Sequence, residues 1–535
     1  MVAPSRRLLF KRAAMIGGGS LPLLSAGSPT RAEGPDARTV VRPGDPRYPA
    51  LVRGANQRWA GTPDEICVAA SSDDVVRAVQ DAVAAGRRIA LRSGGHCYED
   101  FVANAAVRTV IDLSRLNSVE YDPAFGAFCV GPGARLSQLY ETLYKTWGVT
   151  VPGGACPSVA AGGHIVGGGY GPLSRLFGLT VDHLYGVEVA VVDQSGTARS
   201  VIATRDDSDP ALSDLWWAHT GGGGGNFGVV TRYWLRSPGV PAETEPGRLL
   251  PAPPAELLVN TTNWMWGDLN REGFATLLRN YGRWYERHSG PSSPLLGLYS
   301  QLRPLHRSAG VVQLATQIDA TRPRAAHQLA EFVAAVGTGV AARPLQGPVI
   351  RLPWLQATQW QGLSGGDPCR RFEIKSAYMR TGFTDQHLGS IHRHLTRTDY
   401  LNPSALLVIA GYGGRVNTVA PKDTAVPQRD SILKLQYVAY WEEPTDDTRH
   451  VNWVRDFYRD VHADTGGVPA PGPTTDGCFV NYPDKDLDDP RWNTSGLSSH
   501  ALYYKDNYPR LQRAKARWDP LNVFRHAQSV RLGTV

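Results

Sequence analysis

Apolar and polar positions in the first third of the chain follow a pattern that predicts helix–strand units. In the segment 71–88, SSDDVVRAVQDAVAAGRR, the apolar side chains fall on one face of a helix: Val75, Val76, Val79, Ala82 and Val83. Ser72 can cap this helix at its start, and Gly86 can end it. The apolar run RIALRS at 88–93 then predicts a short buried strand.

A second unit repeats this scheme further along the chain. Its apolar side chains recur at helical spacing, at Leu136, Leu139, Tyr140, Leu143, Tyr144 and Trp147. Gly148 ends the predicted helix, and VTVPGG at 149–154 follows it. Each unit therefore leads into a glycine-rich loop, RSGGHCYEDF at 92–101 and PGGACPSVAAGGHIVGGGYG at 152–171.

The remaining pattern predicts an α+β protein with a boundary near its middle. YGVEVAVVDQSGTARSVIA at 185–203 predicts a hairpin that turns at DQSG, and a glycine run at 221–228 leads into another apolar strand. A proline-rich segment places a domain boundary at 240–254. Beyond it, LLVNTTNWMW, FATLLRNYGRWYERH, IKSAYMR, ALLVIAGYGG and LQYVAYW predict an antiparallel sheet covered by helices.

The composition is that of a folded protein large enough for at least two domains. The 535 residues are 42% hydrophobic and 20% charged. The net charge is +7, but the basic residues are scattered, which argues against nucleic-acid binding. Six cysteines show no CxxC pair and no metal-site spacing, so we expect no metal.

The segment 1–33 has the features of an export signal. SRRLLFK at 5–11 contains a twin arginine followed by apolar residues and a lysine, and a weakly apolar stretch follows. This pattern predicts a twin-arginine signal, and therefore a secreted or extracytoplasmic protein. The apolar stretch is too short and too rich in glycine to predict a stable membrane span.

Glycines cluster in four separate loops, at 94–95, 153–154, 162–171 and 221–228. Glycine lets backbone N–H groups approach a ligand closely and point at phosphate oxygens. One such loop is a weak signal, because tight turns also use glycine. Four of them favour a long ligand that lies across several loops, and a dinucleotide has that size.

Several of these motifs together resemble those of one enzyme family. RSGGHCYEDF, PGGACPSVAAGGHIVGGGYGPLSR, TGGGGGNFGVVT and the C-terminal NYPD are similar to the berberine-bridge-type flavoprotein oxidases of the vanillyl-alcohol-oxidase-like superfamily. GYGGRVNTVAPKDTAVPQRD at 411–430 resembles the hexose oxidases of glycopeptide antibiotic pathways. The resemblance covers about residues 42 to 535.

The resemblance implies a domain order. Residues 34–243 would form a two-part FAD-binding domain of the PCMH type, and 244–460 would form the substrate domain. Residues 461–535 would return to the FAD-binding domain.

The resemblance also implies a bicovalent FAD. His96 would bond the flavin 8α-methyl group, and Cys156 would bond ring carbon 6. His164 fits a structural role in a flavin loop better than a catalytic one, and Cys97 is expected to be a bystander. A nucleophilic, acyl-transfer role for Cys156 has no local motif to support it. Further cofactor contacts fall on Arg92, Ser93, Gly94, Gly95, Gly162, Gly163, His164, Gly168, Gly169, Gly171, Gly225, Asn226, Gly228, Val230 and Asn481.

Oxidation of an alcohol needs a base that accepts the hydroxyl proton. Related enzymes use tyrosines of a YxNY element, and here Phe479 replaces the first of them, which leaves Tyr482 as the candidate. Tyr378 and Tyr170 are the other two candidates. Lys375 could favour a Tyr378 phenolate, unless strand alternation turns it away.

The substrate-binding residues are less well defined by the sequence. Arg415 and Asn417 lie in a predicted loop and can bond sugar hydroxyls, and Tyr437 offers an aromatic face. Other rings could form the substrate wall or fill the core: Trp264, Trp266, Trp354, Trp360, Tyr412 and Trp441.

The function predicted from the resemblance is that of an FAD-dependent oxidase. It would take hydride from a primary hydroxyl of a sugar or glycoside, giving an aldehyde or a carboxylate, and pass the electrons to oxygen to form hydrogen peroxide. One alternative is oxidation of a reducing end to a lactone. Others are oxidation of an alkaloid-like or polyketide compound, and a flavin-binding role without catalysis.

Overall fold

Three β-sheets organise the chain in the computed structural model, which describes residues 38–364 and 369–533. The predicted export signal at 1–33 lies outside these residues. The strands of the described part are β1 (Thr39–Val41), β2 (Glu65–Val68), β3 (Ile89–Arg92), β4 (Thr109–Asp112), β5 (Val119–Asp122), β6 (Ala127–Val130), β7 (Leu184–Val192), β8 (Ala198–Thr204), β9 (Val229–Leu235), β10 (Glu256–Met265), β11 (Leu298–Pro304), β12 (Val311–Asp319), β13 (Leu345–Gln346), β14 (Ile350–Pro353), β15 (Arg371–Met379), β16 (Ala405–Gly411) and β17 (Leu433–Trp441).

Helices connect and cover these sheets. Those of the described part are α1 (Tyr48–Leu51), α2 (Ser72–Ala84), α3 (Leu136–Trp147), α4 (Ala161–Val166), α5 (Ser174–Phe177), α6 (Pro210–Ala218), α7 (Arg271–His288), α8 (Ala325–Gly337), α9 (Trp354–Ala357), α10 (Gln361–Ser364), α11 (Asp385–Thr396), α12 (Asp447–Val461), α13 (Ser499–Tyr504) and α14 (Tyr508–Trp518). No helix among the described residues combines the length and apolar character that crossing a membrane requires.

The first two sheets come from the N-terminal half. The first has the order β1-β2-β4-β3, in which β2 and β3 both pair parallel with β4. The second has the antiparallel order β5-β6-β9-β7-β8. The predicted hairpin at 185–203 is confirmed as β7 and β8, which pair antiparallel around the turn at 193–196.

The first predicted helix–strand unit is confirmed except for its cap, whereas in the second unit only the helix is, because residues 149–154 form no strand. Helix α2 buries its apolar face and is followed by β3, but its cap is Ser71 rather than Ser72, because the Ser71 hydroxyl accepts the N–H of Asp74. Helix α3 spans the predicted residues and ends at Gly148, which has the left-handed φ of 71° that glycine adopts without strain.

The third sheet begins after the proline-rich segment and is antiparallel throughout. Its order is β13-β10-β12-β11-β16-β17-β15, and β14 pairs with β10. Helix α8 packs on β10 and β12, and α12 packs on β15 and β17, so helices cover one face of this sheet. The other face borders a cavity. The C-terminal helix α14 packs on α6 in the first half of the chain.

The aromatic residues considered for a substrate wall do not line the cavity, and strand alternation explains this for Tyr437. On β17, Gln436, Val438 and Tyr440 line the cavity, whereas Tyr437 points to the helix side. The hydroxyl of Tyr437 lies 3.2 Å from Nε2 of His462, and its ring packs against α12. The other rings of that set also lie outside the cavity lining: Trp264, Trp266, Trp354, Trp360, Tyr412 and Trp441.

Candidate active site

A cavity of about 650 Å³ lies between the glycine loops of the first half and the third sheet. The segments 479–483, 503–504 and 524–528 from the C-terminal region complete its lining. Among the described residues, no aspartate or glutamate lines this cavity. The cavity therefore suits a ligand that carries negative charge, as the pyrophosphate of a dinucleotide does.

The cofactor side of the cavity is built largely from backbone. A Cβ on Gly94 would lie 2.7 Å from the backbone N of Ala160, and a Cβ on Gly171 would overlap the carbonyl oxygen of Gly153. These glycines let neighbouring loops approach each other too closely for any larger residue. The predicted cofactor contacts that line the cavity are Arg92, Ser93, Gly94, Gly95, His96, Cys156, Gly162, Gly163, His164, Gly171, Gly225, Asn226, Gly228, Val230 and Asn481.

Two predicted cofactor glycines, Gly168 and Gly169, do not line the cavity. Both have positive φ, at 117° and 67°. A Cβ on Gly169 would overlap the side chain of Thr180, so this part of the loop packs on the segment behind it. The two glycines shape the loop without facing the ligand.

The two predicted flavin tethers meet at one hydroxyl group. His96 Nε2 lies 2.9 Å from Oγ of Ser158, and Sγ of Cys156 lies 3.8 Å from the same oxygen. His96 follows β3, whose last residue, Arg92, bonds Asp112 on β4 through Nε at 2.8 Å. Sequence reasoning missed Ser158, although it lies two residues after the cysteine in the same motif.

His164 has a structural role in the loop that carries Cys156 and takes no part in proton transfer. The N–H of Gly154 donates to His164 Nε2 at 3.1 Å, which requires that nitrogen to be unprotonated. Burial lowers the pKa of His164 to about 4, with a smaller effect from Lys434. The side-chain amide of Asn481 donates to the carbonyl of His164 at 3.0 Å and so ties the C-terminal segment to this loop.

Two of the three candidate tyrosines reach the cavity. Tyr482 stacks on Tyr98 with ring centroids 5.1 Å apart, and Tyr170 donates its hydroxyl to the carbonyl of Gly411. Tyr378 does not line the cavity, since it is 1% exposed and packs edge-on against Tyr412 and Phe479. Burial raises the pKa of Tyr482, so its resting form is the neutral phenol.

A buried lysine that sequence reasoning missed lies among these rings. Lys434 Nζ is 3.6 Å from the ring centroid of Phe479, 4.3 Å from that of Tyr482 and 4.4 Å from that of Tyr170. It has no hydrogen-bond partner among the described residues, and burial lowers its pKa well below the ordinary value. Its position two residues before Gln436 places it on the cavity face of β17, so strand alternation is the signal that could have found it.

Lys375 is turned away from Tyr378, as alternation allowed. Its Nζ lies 2.6 Å from Asp484 and 2.6 Å from Asp486, so it anchors the segment that follows Tyr482. Burial opposes the charged form, but the two carboxylates hold the pKa of Lys375 above its ordinary value.

A carboxylate cluster lies next to this ion pair. Oxygens of Glu99, Glu373 and Asp484 lie within 4.8 Å of one another, a spacing that could hold a metal ion. Each carboxylate already faces a cation: Glu373 bonds Arg58, Asp484 bonds Lys375, and Glu99 lies 3.5 Å from Lys485. We interpret the cluster as an ion-pair network that joins three segments of the chain.

The predicted sugar-binding loop does not reach the cavity. Gly413 and Gly414 have φ of 79° and 66° and turn residues 414–418 away, so that they pack against α5. Asn417 donates to the carbonyl of Ser431, and Arg415 lines a separate cavity of about 550 Å³. Polar side chains that do line the substrate side are Tyr299, Gln301, Arg303, Arg370, Gln436 and Tyr440.

Comparison with known proteins agrees with this fold and cavity. A family model described as "FAD binding domain" matches residues 63–201, and one described as "Berberine and berberine like" matches residues 478–531. Aclacinomycin-N/aclacinomycin-A oxidase of Streptomyces galilaeus is 47% identical, over 98% of both chains. Hexose oxidase of Chondrus crispus is 33% identical, over 92% of this chain and 95% of its own.

Solved structures show the same fold. The glycopeptide hexose oxidase DBV29, solved with teicoplanin, superposes with a TM-score of 0.88 at 48% identity, over 92% of this chain and 99% of its own. The fold and site thus define an FAD-dependent oxidoreductase that acts on CH–OH groups. The chain belongs to the berberine-bridge-type family of FAD-linked oxidases, which confirms the resemblance and the predicted fold class.

Proposed function

We propose that this protein carries FAD linked to both His96 and Cys156 and oxidises an alcohol group of a sugar or glycosylated natural product. The observation that carries the proposal is the convergence of these two side chains on Ser158 Oγ. The 8α-methyl carbon and ring carbon 6 lie on the same benzenoid ring of the flavin, so two tethers must emerge close together. Glucooligosaccharide oxidase from Acremonium strictum, which shares this fold at 20% identity, carries a 6-S-cysteinyl, 8α-N1-histidyl FAD.

When bound, FAD would supply the hydride acceptor for the alcohol carbon and the electron donor for oxygen, so that hydrogen peroxide is formed. Tyr482 lines the cavity, and we propose that its phenol proton first passes to the neutral amine of Lys434. The resulting phenolate then accepts the alcohol proton at its Oη. Phe479, at the position where relatives carry another tyrosine, also lines the cavity but has no proton to exchange.

Lys434 is the proposed support for the charge that develops on Tyr482. Its Nζ lies 4.3 Å from the centroid of that ring, so a proton on the amine would stabilise the phenolate. Burial disfavours charge on both groups when they stand alone, and opposite charges on the two would offset that cost. Neither residue is therefore expected to be charged before the alcohol binds.

The proposed substrate is a sugar primary hydroxyl, which is oxidised to an aldehyde or, through the hydrate, to a carboxylate. The names of a hexose oxidase and a glycopeptide hexose oxidase among the relatives support this choice. The 47% identity to aclacinomycin oxidase favours a second candidate, an alcohol on a polyketide-like natural product. Peroxide release across monosaccharides, oligosaccharides, glycopeptides and anthracycline glycosides separates these candidates and the reducing-end lactone reaction.

The covalent linkage can be tested by mass. We expect acid-precipitated protein to stay yellow and its intact mass to include FAD. Cys156→Ala should keep one link and lower the flavin reduction potential, and a double His96→Ala, Cys156→Ala variant should release its flavin on denaturation. Cys97→Ala is the matched control, because Cys97 lines the same cavity and is not a proposed tether. Flavin that washes off the wild-type protein contradicts the proposal.

We also propose that the segment 1–33 directs export by the twin-arginine route. The support is the SRRLLFK motif at 5–11. Replacing Arg6 and Arg7 with lysine should retain the protein inside the producing cell, and unchanged secretion would contradict the signal.

A further inference from the structure

The substrate side of the cavity carries two arginines, Arg303 and Arg370, which the proposed mechanism does not use. Arg303 lies on β11, in a row with Tyr299 and Gln301 that faces the cavity. The row starts near the reaction centre, since the ring of Tyr299 lies 6.3 Å from that of Tyr170, the second candidate proton acceptor in the cavity. It therefore runs from the reaction centre towards the far end of the substrate side.

Arg303 has no carboxylate partner among the described residues. Its Nε donates to Gln301 Oε1 at 2.9 Å, and its Nη2 contacts the same oxygen. Its remaining contacts, to Gln313 Oε1 and to the carbonyl of Leu363, are 3.5 Å long. Burial lowers the pKa of Arg303.

Another buried arginine shows how this fold satisfies a guanidinium without a carboxylate. Arg175 is 0% exposed and donates to the carbonyls of Leu298, Tyr412 and His288 and to Oγ of Ser289, all at 3.1 Å or less. Arg303 lacks such a set, since its Nη1 has only the 3.5 Å contact. Arg303 lines the cavity, so the N–H groups that lack a short contact within the protein are available to a ligand.

The second arginine adds to the positive potential of this wall. Arg370 pairs with Glu442 at 2.6 Å, but that carboxylate is 66% exposed and lies outside the cavity lining. Its Nη2 donates to Ser404 Oγ at a long 3.4 Å. Since none of the described lining residues is acidic, a carboxylate of the ligand can supply the negative charge.

We infer that Arg303, assisted by Arg370, binds a carboxylate that the substrate carries at some distance from the alcohol being oxidised. The planar guanidinium matches a carboxylate with two parallel hydrogen bonds. Strand geometry separates Tyr299 and Arg303 by about 13 Å along β11. The substrate class is therefore an extended acidic alcohol, such as an acidic oligosaccharide or an acidic glycoside, and this inference rests on the proposed oxidase function.

The neighbouring glutamine orients this arginine. Gln301 Nε2 donates to the hydroxyl of Tyr299 at 2.9 Å, while its Oε1 accepts from Arg303. The guanidinium is thus held by a hydrogen-bonded row before any ligand arrives, which lowers the entropy cost of binding. Arg303 acts as a specificity residue and takes no part in proton or hydride transfer.

Binding of charge-matched ligand pairs to the holoenzyme tests this inference. Lactobionate and lactitol differ only in a carboxylate in place of a CH₂OH group, and maltobionate and maltitol form a second pair. Isothermal titration calorimetry should give at least a tenfold lower Kd for the acid in at least one pair. Arg303→Gln should abolish this preference, because Gln keeps a polar contact to Gln301 but has no charge. Arg303→Lys should keep part of it.

The matched control is Arg351→Gln, which removes an exposed arginine that pairs with Glu256 on the edge of the third sheet. It should leave the acid-to-alditol ratio of Kd unchanged. Equal Kd values within both pairs in the wild-type protein would overturn the inference, and so would a preference that survives in Arg303→Gln. A merely structural Arg303 would change both members of a pair alike.

A third pair identifies the source of the carboxylate. Methyl glucuronide and methyl glucoside test a carboxylate at the position that oxidation itself would create. If only this short pair shows tighter binding of the acid, the inference of a carboxylate distant from the oxidised alcohol is wrong. The arginine would then bind the carboxylate of the reaction product. Covalent flavin and peroxide release with neutral sugars, measured on the same preparation, report on the proposed oxidase function separately.

Discussion

The two sides of the cavity are built on different principles. The cofactor side consists of glycine loops whose backbones nearly touch, as at Gly171 and Gly153. The substrate side consists of side chains on the faces of β11 and β17, among them Gln301, Arg303 and Gln436. A backbone surface tolerates almost no substitution, whereas a strand face can exchange side chains without a change of fold. The first side therefore fixes the chemistry, and the second can vary with the substrate.

The two sides also differ in how they treat charge. On the cofactor side, His164 is neutral and accepts a backbone N–H. On the substrate side, Lys434 and Arg303 are buried or partly buried bases without carboxylate partners among the described residues. Unpaired buried bases destabilise a fold unless a ligand or a reaction uses them. The unpaired bases of the substrate side therefore lower the stability of the fold, whereas the neutral, hydrogen-bonded His164 on the cofactor side does not.

The largest expected effect comes from a substitution in the glycine loops of the cofactor side. Gly171→Ala places a Cβ on the carbonyl oxygen of Gly153, so the two loops must separate. We expect a loss of about 3 kcal/mol or more in the free energy of unfolding, with poor flavin retention. Denaturant unfolding and the flavin-to-protein absorbance ratio measure this. Gly290→Ala, at an exposed position where an added Cβ has no neighbour within 4 Å, is the control for stability. A stable, fully flavinylated Gly171→Ala protein would show that the loops can adapt.

The next largest effect concerns Tyr482, which lies where the cofactor side meets the substrate side. Tyr482→Phe removes the proposed proton acceptor, so flavin reduction by the alcohol should slow by on the order of 10²–10⁴-fold while reoxidation by oxygen is unchanged. Anaerobic stopped-flow spectroscopy separates the two half-reactions. Tyr437→Phe, on the helix side of β17, should leave both rates nearly unchanged. Unchanged reduction in Tyr482→Phe would transfer the role to Tyr170, the other candidate in the cavity.

A third experiment compares two buried lysines. Lys434 has no hydrogen-bond partner among the described residues, so Lys434→Met should raise the free energy of unfolding by about 1–2 kcal/mol while slowing flavin reduction. Lys375 neutralises Asp484 and Asp486, so Lys375→Met should lower the free energy of unfolding by about 3 kcal/mol. Urea unfolding and stopped-flow reduction measure both. Loss of stability in both variants would mean that Lys434 is not strained.

The smallest effect concerns acid stability on the cofactor side. Because the pKa of His164 is lowered to about 4, the unfolded chain takes up its proton first, near the ordinary value of about 6.5. Stability that is present above pH 6.5 is therefore lost as the pH falls towards 4, by about 2 kcal/mol from this group.

His164→Gln keeps an acceptor for the N–H of Gly154 and should make that decline shallower. Urea unfolding at pH 7, 5.5 and 4.5 measures the slope, with His327→Gln, at an exposed position on α8, as the control. Parallel declines in wild type and His164→Gln would assign the acid lability to other buried histidines.

The glycine loops of the cofactor side are visible in the sequence for a physical reason. A loop that must approach another backbone needs glycine itself, so the requirement is visible in the sequence at positions such as Gly94 and Gly171. The strand β3 before His96 was also visible, because its apolar run is continuous. Ser158 was missed because a serine in a turn has many ordinary roles.

The substrate side was harder because one residue of register decides which face a side chain occupies. Tyr437 and Gln436 are neighbours in sequence, yet only Gln436 lines the cavity. Tyr378 lies beneath Phe479, a burial that depends on how the C-terminal segment docks. Arg415 was misplaced because two left-handed glycines turn its loop away. Such features follow from tertiary packing rather than from local pattern.

Residues of the segment 479–528 form one wall of the cavity, so the site is complete only when this segment is docked. The segment supplies Tyr482 as well as the Asn481 contact to the loop that holds His164. A substitution that loosened the docking would therefore weaken cofactor retention and displace the proposed proton acceptor at the same time, even if it lay far from both.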